Sequence, residues 1–471
     1  MSTLLTLSNL YPRPDRPTRG MFNAQFFRAL AQGGAEMSAF SPASERCSGS
    51  SGALTPHAPG TLRRSAPRSG AASGAGEHGK AETRCQVRNV CLVPEWRVWR
   101  WRAIRRWRDP YSDDLGTRYL PVFYVPVIGR NVSWLTYGSS IRLSPVLPRI
   151  IESTNRRVIF LATWLYPDCV AAVRLAARLN APLWFKVHGS DIFHLDVPAR
   201  RQRILVACER ANGVFCVAPH LVDRLEEAGL PREKLHYLPN GVDQERFRPR
   251  SREEAREHLD VPASCIPHPA SRIVLFVGNL LPVKGPDILL QAFARVRSLV
   301  NGQRSLESDS ASAPNRPIVQ SSNCHLYIIG SGRMRQRLEH MAHALGMADS
   351  VHFLGSRPHD EIPYWMNVAD CLCLPSRSEG MPNVVLEALA GGLPVVATNV
   401  GNVGELVRTG TNGAVVESGE GAVERMADAL SSNLQGQWEA ERIRGTVREY
   451  TWQNTAAGAA SLMFGHRRNR R

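Results

Sequence analysis

No run of about eighteen apolar residues occurs in the 471-residue chain, so no segment is expected to cross a bilayer as a helix. Met1 to Pro12 lacks a basic start and a long apolar core, and no secretory signal is expected there. No Cys-x-x-Cys pair occurs. The ten cysteines, Cys47, Cys85, Cys91, Cys169, Cys208, Cys216, Cys265, Cys324, Cys371 and Cys373, are scattered. That pattern excludes a zinc ribbon and reads as a reduced, cytoplasmic protein. No Asp-x-Asp motif stands in a metal-holding loop, so neither a metal nor another cofactor is expected. Acidic residues are scarce in one half only. Residues 1–240 carry 33 Lys and Arg against 18 Asp and Glu, whereas residues 241–471 carry 25 against 24. A basic half beside a neutral half points to an acidic surface touched by one half alone, either nucleic acid or an anionic membrane.

What is present is enough apolar material, 43%, for two cores of ordinary size. Short apolar runs alternate with helical patterns along both halves. Strands are predicted at Thr3–Ser8, Val87–Val93, Val158–Thr163, Leu183–Val187, Val214–Val217 and Lys234–Leu238, with helices at Met21–Gln32, Cys169–Leu179, Ala199–Ala211 and Pro219–Ala228. A second series follows. Its strands are Arg272–Val277, Leu326–Ile329, Val351–Leu354, Cys371–Leu374 and Pro394–Ala397. Its helices reach Val300, then span Arg333–Leu345, Val384–Ala390, Gly421–Ser431 and Gln437–Tyr450. This alternation gives an α/β fold of two doubly wound, Rossmann-like domains facing a cleft. The domains are placed at 1–243 and 244–450, with 451–471 a final helix and basic tail. Residues of about 41–84 and 301–322 are too polar and too rich in small residues to bury a core, and read as disordered insertions.

The chain is organised around Pro375–Thr398. A buried strand enters a polar turn holding Glu379, Gly380 and Met381. Pro382 then opens a helix containing Glu387, and Gly391 and Gly392 end it. A helix N-terminus at the sheet's C-terminal edge suits an anion. Two carboxylates eight residues apart suit two ends of an elongated ligand better than one shared proton-transfer site. The alternative is two solvated glutamates. The whole stretch resembles the Glu-x7-Glu motif of the family 4 retaining glycosyltransferases. That resemblance implies a GT-B fold, a donor-sugar contact at Glu379 with Gly380 and Met381 beside it, and a nucleotide-ribose contact at Glu387.

Other loops join the resemblance. Gly278-Asn279-Leu280-Leu281-Pro282-Val283-Lys284-Gly285 precedes a helix, where Lys284 would act as a fixed cation on a diphosphate. Many family members carry Arg where this chain has Asn279. The variant is similar to a subgroup associated with teichuronic-acid-type and exopolysaccharide assembly. Gly355 lies in the loop where the family seats the base. Gly20, after Thr18-Arg19, is either a plain turn glycine or the family's close approach to the donor phosphate. His188 and Asp191 sit in a polar loop at a strand end, as structural residues or, by the resemblance, facing the sugar. Pro239-Asn240-Gly241-Val242-Asp243 is similar to the segment that joins the family's two domains.

Glu95–Arg108 stands apart, with Trp96, Trp99, Trp101 and Trp107 among six arginines. Such a mix suits an anionic membrane surface, stacking on nucleic-acid bases, or a helix with its tryptophans turned inward. Taken together the reading is a glycosyltransferase, with Glu379 and His188 at the reacting sugar. Its partners would be a nucleotide-sugar donor, a glycan or lipid-linked acceptor and the inner face of the cell membrane, with no nucleic acid. The resemblance implies a front-face displacement in which the leaving phosphate helps take the acceptor proton. A nucleotide-sugar epimerase of the same architecture and a nucleic-acid-binding protein are the alternatives.

Overall fold

The computed structural model describes residues 2–8, 10–16, 20–33, 86–95, 97–110, 115, 117–124, 133–143, 148, 151–152, 157–259, 271–307 and 324–465. The first insertion, Thr18-Arg19, Trp96, most of the second insertion and the basic tail lie outside these residues.

Two sheets, each wholly parallel, carry the fold. In the first, β1 (Ser2–Ser8) lies between β2 (Gln86–Pro94) and β4 (Arg157–Thr163). The order runs β3-β2-β1-β4-β5-β6-β7, with β3 Arg118–Val122, β5 Leu183–Val187, β6 Gly213–Cys216 and β7 Leu235–Tyr237. In the second the order is β10-β9-β8-β11-β12-β13, with β8 Arg272–Val277, β9 Cys324–Ile329, β10 Val351–Gly355, β11 Cys371–Leu374, β12 Val395–Thr398 and β13 Gly413–Val416. Strand order therefore reverses beside β1 and again beside β8. A reversal of this kind opens a crevice at the C-terminal strand ends.

The strands read as near-continuous apolar runs because both faces are covered. In β8, Val274 and Phe276 pack under Leu289, Phe293 and Leu430, while Ile273 and Leu275 face the layer of Trp365, Leu386 and Leu389. The helix Trp452–Gly465 crosses back to the first sheet. There Trp452, Ala456 and Ala459 share a buried cluster with Leu4, Phe26 and Phe27. Val242 N–H donates to Tyr450 O and Thr455 Oγ1 to Pro239 O, so the joining segment is tied to the returning chain. No helix among the described residues is long and apolar enough to cross a membrane.

Several boundaries differ from the pattern reading. β3 and a helix at Ser133–Leu143 fill a stretch where no element was expected. β3 contains Pro121, which is tolerated because β3 pairs only with β2 and forms the sheet edge. The helix from Pro286 continues to Glu307, into the residues read as the second insertion. The expected helix at Gln437–Tyr450 shrinks to Ala440–Gly445.

Candidate active site

Lys284 and Glu379 lie 95 residues apart and meet at the second crevice. β8 feeds the Gly278–Gly285 loop, and β11 feeds the loop from Pro375 to Pro382. Lys284 Nζ donates to Glu379 Oε1 and Oε2 at 2.6 and 2.8 Å, and Ser376 Oγ donates to Oε1 at 2.7 Å. The Glu379 side chain is 7% exposed and that of Lys284 27%. Gly285 makes this pairing possible. Its φ of 63° is left-handed, and any Cβ there would run into Pro375 O. Arg377 ties the same loops: it bonds Asp287 at 3.0 and 2.8 Å, and its N–H donates to Val283 O. The sequence assigned Lys284 to a diphosphate and Glu379 to a sugar as separate roles. In the structure they form one ion pair.

The first domain comes to this pair through glycine. A Cβ on Gly189 would stand 2.5 Å from Gly380 Cα, and one on Gly380 would run into His188 O. Gly380, expected among substrate contacts, is thus also the seat on which the His188 loop rests. Phe22 packs on the His188 ring at 4.7 Å between centroids. Both His188 ring nitrogens are buried without a hydrogen-bond partner among the described residues. Burial, with Lys186 nearby, holds the imidazole pKa well below its usual value, so the ring is neutral at physiological pH. Buried polar atoms without partners are rare in folded proteins, and a ligand hydroxyl would satisfy these.

Asp191 does not face the cleft. It is fully buried. Its Oδ1 accepts from the N–H groups of His188 and Gly189 at 3.0 and 2.9 Å, and its Oδ2 from Leu165 N–H at 3.2 Å. It shapes the loop from below. Burial raises its pKa to about 6 against these three bonds.

Glu387 lies in the helix Asn383–Ala390 and meets His359 Nε2 at 3.1 Å. His359 stands edge-on to Phe247 and was not singled out from sequence, because nothing local links it to Glu387. Met381 is buried, and its Sδ accepts from Asn240 N–H at 3.0 Å. Asn279 is exposed at the crevice mouth. Gly355 closes β10, and its carbonyl accepts from Gly330 N–H at 2.8 Å. Gly20 caps the helix Met21–Gln32 with Leu10 backbone against it. Among the described residues, no three His, Cys, Asp or Glu side chains group as a metal site.

Two doubly wound domains with their loop edges together define the GT-B fold. The same fold is found in a sucrose-phosphate synthase from Thermosynechococcus elongatus, at a TM-score of 0.65 and 16% identity over 98% of each chain. Residues 104–246 match the family described as Glycosyltransferase Family 4, and residues 267–449 match Glycosyl transferases group 1. The chain is 32% identical over 288 residues to a D-inositol 3-phosphate glycosyltransferase of Acidothermus cellulolyticus, covering 58% of each. It is 30% identical over 292 residues to a GDP-mannose-dependent alpha-(1-6)-phosphatidylinositol monomannoside mannosyltransferase of Mycobacterium tuberculosis, covering 59% of this chain and 68% of that one. This chain belongs to the family 4 glycosyltransferases. It is a transferase, not an epimerase.

Proposed function

We propose that the protein is a retaining glycosyltransferase that moves a sugar from a nucleoside diphosphate sugar to a hydroxyl of a glycan or lipid-linked acceptor, in cell-surface polysaccharide or glycolipid synthesis. The observation that carries this is the Lys284–Glu379 pair at the strand-order reversal, beside the partnerless His188. Lys284 and the helix start at Asn383 supply positive charge for the diphosphate. Glu379 and His188 accept from and donate to sugar hydroxyls, and Glu387 with His359 takes the ribose. The leaving phosphate itself receives the acceptor proton, and Lys284 with the helix start, rather than a metal, meets the charge on the leaving diphosphate. The Gly278–Gly285 loop favours an acceptor of the teichuronic-acid or exopolysaccharide type. The relatives' names add inositol phosphates and phosphatidylinositol mannosides as acceptors to try.

The test is a thermal-shift panel of UDP, GDP, ADP, CDP and TDP in EDTA. One or two of these should raise the melting temperature, since ligand at about 100 times its Kd adds about 2.7 kcal/mol. Turnover of the matching sugar nucleotide should survive the chelator. No shift with any nucleotide removes the donor reading. Loss in EDTA that magnesium or manganese restores removes the metal-free one.

We also propose docking on the inner face of the cell membrane. Glu95 occupies Arg97 and Arg100, at 2.8 and 2.9 Å, and Trp101 and Trp107 are half-buried, the latter edge-on to Tyr119. Part of the stretch is therefore packed. Arg102, Arg105, Arg106 and Arg108 are exposed, as are Val98 at 56% and Trp99 at 70%. Phe123 and Leu135 are also exposed and line, with Trp101 and Arg105, an apolar cleft of about 370 Å³. Because all strands are parallel, this patch follows the same sheet edge as the His188 loop. β2 and β5 stand three places apart, roughly 15 Å at about 4.8 Å per strand. Four arginines at about 1 kcal/mol each would hold that edge on an anionic bilayer, beside the acceptor. Flotation on anionic liposomes should weaken with salt. It should fall at least fivefold when Arg102, Arg105, Arg106 and Arg108 are changed to Gln and Trp99 to Ser. Equal flotation of both proteins would leave the patch without a membrane role.

A further inference from the structure

At the end of β5 lies a group that sugar transfer leaves unused. Lys186 is fully buried. Its Nζ donates to Asn240 Oδ1 at 3.0 Å and lies 3.9 Å from the centroid of the Phe26 ring and 5.8 Å from that of Trp452. No carboxylate among the described residues pairs with it. Burial lowers its pKa to about 7. A buried lysine bonded to one amide oxygen is costly, even with ring faces beside it. Methionine would fill the same space without that cost. Stability alone gives no reason for a lysine here.

Asn240 passes the contact on. Its Nδ2 donates to Asn383 Oδ1 at 2.9 Å, and its N–H goes to Met381 Sδ. Asn383 is the first residue of the helix that carries Glu387, and Met381 follows Gly380. Lys186 itself lies two residues before His188. One side chain therefore touches the strand under the His188 loop, the segment joining the domains, the first helix through Phe26 and the returning helix through Trp452.

We propose that Lys186 is a positioning residue that acts through Asn240, setting the register of the Glu379 loop and the Glu387 helix against the His188 loop. The inference rests on the transfer reaction proposed above. It adds a second link between the halves of the site, independent of the Gly189–Gly380 contact.

The test compares Lys186→Met, Asn383→Ala and the double variant by hydrogen exchange and by kinetics. Exchange over Pro239–Val242 and Gly380–Asn383 should rise about tenfold in each single variant and no further in the double, with β1 and β8 unchanged. Release of nucleoside diphosphate from UDP-glucose, UDP-galactose, UDP-N-acetylglucosamine or GDP-mannose should show kcat down about 10- to 100-fold, with donor KM within about twofold. If Lys186→Met does not fold, Asn240→Ala, which removes the group that Lys186 acts through, takes its place alone and beside Asn383→Ala. Multiplying losses in the double variant, a KM effect without a kcat effect, or wild-type exchange in both singles overturns the proposal. If the wild type turns over none of these four donors, the exchange arm alone decides the role of Lys186; the donor reading falls only if no nucleotide of the thermal-shift panel binds.

Discussion

Glu379→Ala is expected to cut kcat by about 10²- to 10³-fold while the nucleotide still binds, the size of loss that follows removal of one preorganised polar contact at a reacting centre. The reason lies in the ion pair. Glu379 now occupies the Lys284 ammonium from two oxygens. Without it, Lys284 faces the crevice uncompensated, and a diphosphate is attracted at least as strongly as before. Nucleotide Kd should therefore equal the wild-type value or fall below it. Glu387→Ala should behave in the opposite way. It removes the partner of His359 and an acceptor for the ribose diol. Losing one hydrogen bond to a charged group costs about 1.5–3 kcal/mol, or roughly 10- to 100-fold in nucleotide affinity. Titration calorimetry with the nucleotide from the panel, beside saturation kinetics, separates the two. Equal loss of nucleotide affinity in both variants would show that the roles are misassigned.

That ion pair also marks where sequence reading stops. The two loops were legible, because each follows an apolar run and precedes a helical pattern with glycine at the turn. The alternation pointed to a doubly wound sheet, and the strand order beside β8 came only with the structure. Contact between the loops was not legible, since 95 residues separate Lys284 from Glu379 and only the sheet topology brings them together. Asp191 shows the same limit. An aspartate at a strand end reads equally as a ligand contact or as an acceptor for its own loop. Only the directions of three N–H groups decide between them.

The stretch before β4 failed for a different reason. β3 carries a proline, and the helix Ser133–Leu143 holds at its centre the run Thr136-Tyr137-Gly138-Ser139-Ser140, of weak helical preference. Both are specified by tertiary packing, Tyr137 and Ile141 against the sheet, rather than by local pattern. The tryptophan–arginine stretch reads from sequence as a membrane surface, a base-stacking surface or a helix with its tryptophans packed inward. In the structure Glu95 divides it, holding two arginines and leaving four exposed.

Gly380→Ala should be nearly as damaging to turnover as Glu379→Ala, for a steric reason alone. The added methyl would run into His188 O and stand 2.7 Å from Gly189 Cα. Both obstacles are backbone, so neither can swing aside as a side chain would. Asn402 N–H bonds Gly380 O at 2.9 Å, and Gly401 packs against the same turn, so the turn cannot retreat. The relief left is separation of the two domains at this point. A displacement of about 1 Å between reacting groups costs on the order of 10²-fold in rate. The β8–β11 crevice lies wholly in the second domain, so nucleotide affinity should stay within about threefold of wild type. The buried strands of both sheets are untouched, so melting temperature should fall by only a few degrees. Gly189→Ala meets the same contact from the other side, and the double variant should lose less than the product of the two. Wild-type kcat in Gly380→Ala would mean that the two loops do not touch during turnover.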